Sequence, residues 1–231
     1  YGMPQATTDL HPAWDNGMMQ VIFNVRYPEP TYSHFRSYDI IASGSDADVV
    51  QNTGWMGRFL DNEYAAFLET PPTVPPALQI GVQADLVFRS DQANMALAVS
   101  SPQEFYQIAQ TGQLYDTGSL GNTPRELELA YVRQTANAAF RYAETIKTAY
   151  SRGKNQVDYP TDNNLAEQLA IVAKLIKGNL GTRVFMVEIG GFDTHAEQLD
   201  YHLGQLNKIA EGVKAFFDDI AFGGSGLEQK V

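Results

Sequence analysis

Cysteine is absent from all 231 residues. That excludes disulfides, thiolate metal sites and a cysteine nucleophile, while saying little about compartment, since many exported bacterial proteins also lack cysteine. Long apolar runs are missing too: no stretch approaches the ~20 apolar residues needed to span a bilayer. Basic residues are few, 16 Lys and Arg against 27 Asp and Glu, for a net charge of -11. Nucleic-acid binding is dominated by Lys and Arg contacts to phosphate, so this balance argues against a nucleic-acid partner. It also disfavours anionic membrane surfaces. The glycine-rich Phe222-Gly223-Gly224-Ser225-Gly226 lacks the Lys and Ser/Thr of a Walker loop and reads as a helix stop and flexible link. No secretory leader pattern is visible, so an export signal would lie upstream of Tyr1.

With 44% hydrophobic residues, the chain has enough apolar content for one sizeable core. Strand and helix patterns alternate without internal repeats, which predicts one α/β domain over residues 1–231. Residues 18–25 read as a strand, and Ser33 as the cap of a short helix ending at Ser43-Gly44. A second helix is expected over 55–61. The proline-rich stretch 70–76 reads as an extended surface loop, and 78–81, 86–88 and 95–99 as short strands of a hairpin-like subsheet. Ser101-Pro102-Gln103-Glu104 and Thr123-Pro124-Arg125-Glu126 are capping boxes, the second opening a long helix to about Tyr150. A polar loop over 152–161 and an amphipathic helix from Asn164 to Lys177, stopped by Gly178, follow.

The most informative stretch runs from Val184 to His195. An apolar segment, Thr182 to Ile189, reads as a buried strand, and the helices flanking it predict an interior position in a mainly parallel sheet. It leads into Gly190-Gly191, then Asp193 and His195. Ligands in open α/β sheets gather at the carboxyl ends of strands, and the glycines allow a sharp turn there. One hard oxygen and one imidazole nitrogen suit zinc or a similar divalent ion, although a zinc site takes three or four ligands. Alternatively, Thr194-His195-Ala196-Glu197 is a capping box for the helix that follows, whose Leu199, Leu203, Leu206, Ala210, Val213, Phe217 and Ile220 form one apolar face. Glu188 is odd inside an apolar strand and needs a partner or a functional reason. His202 is expected to be half exposed beside that apolar face.

Gly190-Gly191-Phe192-Asp193-Thr194-His195 with Gln198, together with Leu10-His11-Pro12-Ala13, Ser33-His34-Phe35 and Gly54-Trp55-Met56-Gly57-Arg58, resembles domain-of-unknown-function family 1501. That bacterial family is similar to the alkaline phosphatase and sulfatase superfamily and is usually exported by the twin-arginine route. The resemblance covers about Leu10 to the end of the chain. It implies a layered α/β/α fold with a mainly parallel sheet and helices on both faces, a periplasmic or secreted location, and a metal-dependent hydrolase of small phosphate or sulfate esters. Zinc is the first candidate ion, with Asp193 and His195 as ligands. The alternative is a non-catalytic envelope protein that uses the same scaffold to bind glycans or protein partners. The family's early acidic motif, its Ser-Glu-Phe-Gly-Arg segment and its Asp-His-Gly segment have no counterpart in this sequence, so the chain is expected to be an internal fragment with an incomplete metal site.

In the phosphatase-like superfamily a Ser or Thr at a strand-to-helix junction acts as nucleophile or metal ligand, and residues 30–44 are loosely similar to that segment. Ser33 is therefore the candidate nucleophile, with His34 and Arg36 as oxyanion contacts at a helix N-terminus. Ser33 is equally well placed as a plain N-cap. Arg58 could clamp an anion bidentately or pair with Asp61. His11, before Pro12, defaults to capping or packing.

Overall fold

Capping side chains decide where most helices begin in the computed structural model, which describes residues 2–110 and 112–231. Helix α1 (His11–Asp15) carries Pro12 in its first turn. Helix α2 (His34–Ser43) is capped by Ser33, whose hydroxyl accepts the Arg36 amide at 3.4 Å, and ends at Gly44 with φ +67°. Helix α3 (Trp55–Glu63) follows Gly54. After strands β1 (Ala77–Gln79) and β2 (Ala96–Ala98) comes α4 (Pro102–Gln110), started by the Ser101 hydroxyl. Helix α5 (Pro124–Arg152) opens with a complete capping box: the Thr123 hydroxyl accepts the Glu126 amide at 3.4 Å, and the Glu126 carboxylate accepts the Thr123 amide at 3.1 Å. Asn163 caps α6 (Asn164–Lys177), and β3 (Val184–Met186) and α7 (Gln198–Ala221) complete the order.

The chain divides into two compact units. One contains Asn24–Thr148 and Leu180–Met186. Its sheet is open and all parallel, in the order β2-β1-β3, with Leu78 aligned on Leu97 and on Phe185. The strand in the middle is β1, where Ala77, Leu78 and Gln79 are essentially without exposed surface. Leu60, Phe88, Met95 and Ala96 pack with Ala77 into a core against which Val184 and Met186 lie. Two glycines let α3 approach the 86–89 turn: a Cβ on Gly54 would fall 2.2 Å from the Leu86 carbonyl oxygen, and one on Gly57 2.4 Å from that of Arg89.

Several expectations are corrected here. The 182–189 strand shrinks to three residues and lies at an end of the sheet rather than in its interior. Its flanks explain this, since exposed Arg183 pairs with Glu63 at 3.5 Å and so keeps a charge beside the strand. The hairpin-like subsheet is replaced by parallel pairing of β1 with β2, and Leu86–Phe88 is a short 3-10 helix capped by Asp85. Residues 18–25 form no strand: Met18, Ile22, Phe23 and Val25 are exposed, and Asn24 at φ +58° breaks the extended run. The proline-rich 70–76 stretch is not wholly superficial, because Pro75 is fully buried and the Thr182 hydroxyl donates to its carbonyl at 2.9 Å.

The other unit contains the chain through Phe23, Ala149–Asn179 and Val187–Val231. It is built on α6 packed against α7, with Leu165, Leu169 and Val172 buried on one helix and Ala210, Phe216 and Ile220 on the other. Gly212 makes the crossing close, since a Cβ there would lie 3.4 Å from the Ala166 main chain. Asp219, with no exposed surface, accepts from the Gln156 amide at 2.6 Å, the Lys177 ammonium at 2.6 Å and the Tyr159 hydroxyl at 3.2 Å. The apolar stripe of α7 is only half used. Ile220 is buried, whereas Leu199 is 82% exposed.

Candidate functional site

The loop following β3 is shaped by two glutamines on neighbouring helices. Gln168 of α6 accepts the Glu188 amide at 2.9 Å and donates to the Glu188 carbonyl at 2.8 Å. Gln205 of α7 donates to the Gly190 carbonyl. Gly191 takes φ +88°, and a Cβ there would meet Gln205 Nε2 at 2.5 Å and the Tyr201 hydroxyl at 2.9 Å, so a side chain would have to displace those two flexible ends and hold a strained backbone. Phe192 then packs edge-on against half-buried His202, with ring centroids 5.7 Å apart. Of the expected sharp turn at the glycine pair, only the positive φ of Gly191 is present: neither glycine lies in a turn or bend, and the chain bends instead at 195–197.

Asp193 and His195 meet beyond the glycine pair, with Oδ2 and Nε2 2.9 Å apart and both side chains more than half exposed. The capping box over 194–197 is not formed. Helix α7 begins at Gln198, and its N-cap residue Glu197 makes no side-chain cap. His195 and Glu197 instead hold left-handed φ values of +37° and +54°, a conformation that costs about 1–2 kcal/mol for a residue bearing a Cβ. Glu188 is exposed rather than buried, because the strand ends two residues before it. It therefore needs no buried partner.

A divalent ion would have to replace the Asp193–His195 hydrogen bond, and the pair would supply two of its three or four ligands. Donors at roughly 2.1 Å from a common zinc lie about 3.4 Å apart in tetrahedral geometry, so the observed 2.9 Å needs only a small opening. Among the described residues no group of three or more His, Asp and Glu converges. Beside the glycine pair, an open cleft of about 430 Å³ is lined by Asp162, Glu167, Tyr201 and Lys208; Asp193 and His195 do not line it.

Ser33, His34, Arg36 and Arg58 belong to the sheet-containing unit. Ser33 and His34 are exposed, and the Ser33 hydroxyl serves as the α2 cap. Arg36 points a single nitrogen at three main-chain carbonyls, those of Asp46, Ala47 and Val49, at 3.4, 3.0 and 2.6 Å. Arg58 donates to the Ser43 carbonyl at 2.8 Å and to the Thr53 carbonyl at 2.9 Å. It forms no ion pair with Asp61 among the described residues. Both guanidinium groups thus tie loops together, and Gly54, Gly57 and Arg58 of the Gly54-Trp55-Met56-Gly57-Arg58 motif have a packing explanation, whereas Trp55 is about half exposed. His11 is the exposed first residue of α1.

Gln168 and Gln205 are the residues sequence reasoning missed. A glutamine on an amphipathic helix carries no signal of what it will bond, because the partner is a main-chain group distant in sequence. Comparison with protein-family models, with curated proteins and with solved structures finds no match for the chain.

Proposed function

We propose that the chain is part of an exported, metal-dependent hydrolase of small phosphate or sulfate esters, related to domain-of-unknown-function family 1501 and built on an alkaline phosphatase-like layered sheet. The observation that carries this reading is the Asp193–His195 pair, 2.9 Å apart, on the loop after a parallel strand. Two strained backbone positions at His195 and Glu197 add to it, since strain concentrates where a loop is held for a task. Asp193 and His195 would hold a divalent ion, zinc first, and the full protein would supply the remaining ligands. Such an ion would polarise the ester and lower the pKa of a bound water. This chain's residues would position the ligands: Gln168 and Gln205 hold the main chain of the loop, and Gly191 takes the positive φ between the stretch they hold and Asp193.

A second reading is a non-catalytic envelope protein that binds glycans or partner proteins. It is favoured by the engagement of Arg36 and Arg58 with carbonyl oxygens and of the Ser33 hydroxyl with its own helix. Elemental analysis of the full-length protein, combined with aryl phosphate and aryl sulfate assays, separates the two. The hydrolase reading expects a stoichiometric divalent ion and turnover abolished by His195→Ala. Full-length protein with no such ion and no turnover would sink it and leave the binding scaffold. The 231-residue chain alone should bind zinc weakly and lose it readily to chelator, because two protein ligands are fewer than a catalytic site takes.

A further inference from the structure

Val213, Phe217 and Ala221 recur at every fourth position of α7 and so form one row along it, about 12 Å long at the helical rise per residue. The 3-10 segment Gln5–Leu10 packs against α7, α1 continues from it, and the short 3-10 turn Leu227–Gln229 also packs on α7. These elements belong to one compact unit and leave a half-open cleft of about 340 Å³ between them, within the size range of small-molecule pockets. The Val213–Phe217–Ala221 row lines it together with Leu10, Ala13 and Met18, so most of its wall is hydrocarbon.

The charges lining the cleft are mainly negative. Asp9, Asp218 and Glu228 line it, against a single basic side chain among the described residues, Lys214, which is paired with Asp218. A second open cleft shares Asp9, Lys214 and Asp218 with the first and adds Asp158 and Glu211. The apolar slot therefore adjoins an acidic one. The Asp218 hydrogen bond, reinforced by the charges of Asp218 and Asp9, raises the Lys214 pKa, so the field of these carboxylates already favours a cation there.

We propose that the apolar cleft binds a small amphiphilic organic ammonium, with its hydrocarbon chain along the Val213–Phe217–Ala221 row and its charged head toward the carboxylates of Asp9, Asp218 and Glu228. Burial of the chain supplies the affinity, and the excess of carboxylates selects the sign of the head, since an anionic amphiphile would meet like charge. A cation without the chain would bury little and compete with water for solvated carboxylates. The inference does not rest on the Asp193–His195 reading.

The test is a calorimetric titration of the purified chain with octylammonium chloride below its self-association concentration, with sodium octanoate and ethylammonium chloride as controls. Saturable octylammonium binding is expected, with octanoate weaker by roughly tenfold or more through repulsion and ethylammonium by at least as much through the missing chain. Asp9→Asn combined with Glu228→Gln keeps shape and removes two charges, and should weaken octylammonium by about tenfold while narrowing its lead over octanoate. Met18→Lys, at an exposed position, places a cation beside the apolar wall and should weaken it comparably. Either variant decides the matter if the other does not fold. Absence of saturable binding, the result for a groove that holds water only, overturns the proposal. So does octanoate or ethylammonium binding as tightly as octylammonium, or wild-type affinity in either folded variant.

Discussion

The side-chain amide of Gln168 brackets Glu188, accepting its N–H at 2.9 Å and donating to its carbonyl at 2.8 Å. A helix residue thereby does for the main chain just beyond β3 what a neighbouring strand would do. Gln168→Ala should leave the global fold intact, at a cost of about 1 kcal/mol for the two partly solvated bonds. Hydrogen exchange is the measurement: the Glu188 amide should lose protection while β1 amides keep theirs. Unchanged protection at Glu188 would show that the bracket does not hold the loop.

The Lys177–Asp219 pair makes a stronger demand on stability. Asp219 has no exposed surface and three donors, so Asp219→Asn leaves a lysine whose compensating charge is gone. The expected loss is about 3 kcal/mol or more, read as a shift in the denaturant midpoint. Asp219→Leu with Lys177→Met should recover part of it, since replacing both members removes the uncompensated charge. A loss below about 1 kcal/mol for Asp219→Asn would contradict this account.

At Gly57 the usual helix rule reverses. Alanine in a helix interior normally gains about 1 kcal/mol over glycine, but here a Cβ would lie 2.4 Å from the Arg89 carbonyl oxygen. Gly57→Ala should therefore destabilise by about 1–3 kcal/mol through overpacking. Equilibrium unfolding of the variant decides the sign.

Alkaline pH should weaken the fold through two tyrosines. Burial raises Tyr142 from 10.0 to about 12, and burial followed by the Asp219 charge raises Tyr159 still further. Above pH 10, the unfolded chain loses phenolic protons that the folded chain retains, so stability falls as pH rises from there and is unaffected below it. Melting temperature measured against pH should show that slope, and Tyr159→Phe should flatten it. A Tyr159→Phe profile as steep as wild type would remove Tyr159 from the account.

Local structure was readable wherever chemistry and spacing acted within a few residues. Ser33, Ser101, Thr123 and Asn163 cap helices because their oxygens reach an amide three positions on, and Gly191 takes a positive φ with no Cβ in the way. The Thr194–Glu197 box satisfied the same pattern and failed, since the loop's main chain is already held upstream by Gln168 and Gln205 and the helix starts four residues later. The 18–25 run failed for another reason. Its apolar residues found no partner strand, and no pattern inside the segment says whether one exists.

What the sequence determined by itself was the mixed α/β class, the starts of the helices capped by Ser33, Ser101, Thr123 and Asn163, and the presence of a short strand before the segment that carries Asp193 and His195. Tertiary structure alone decided that β1 rather than β3 is the central strand, that Arg36 and Arg58 clasp carbonyl oxygens, and that Tyr142 is buried with its hydroxyl unpaired among the described residues. The division has a physical basis. Caps and turns are satisfied by groups a few residues away, whereas strand order, guanidinium partners and cavity walls depend on groups brought together from distant positions, and a single sequence records no such distance.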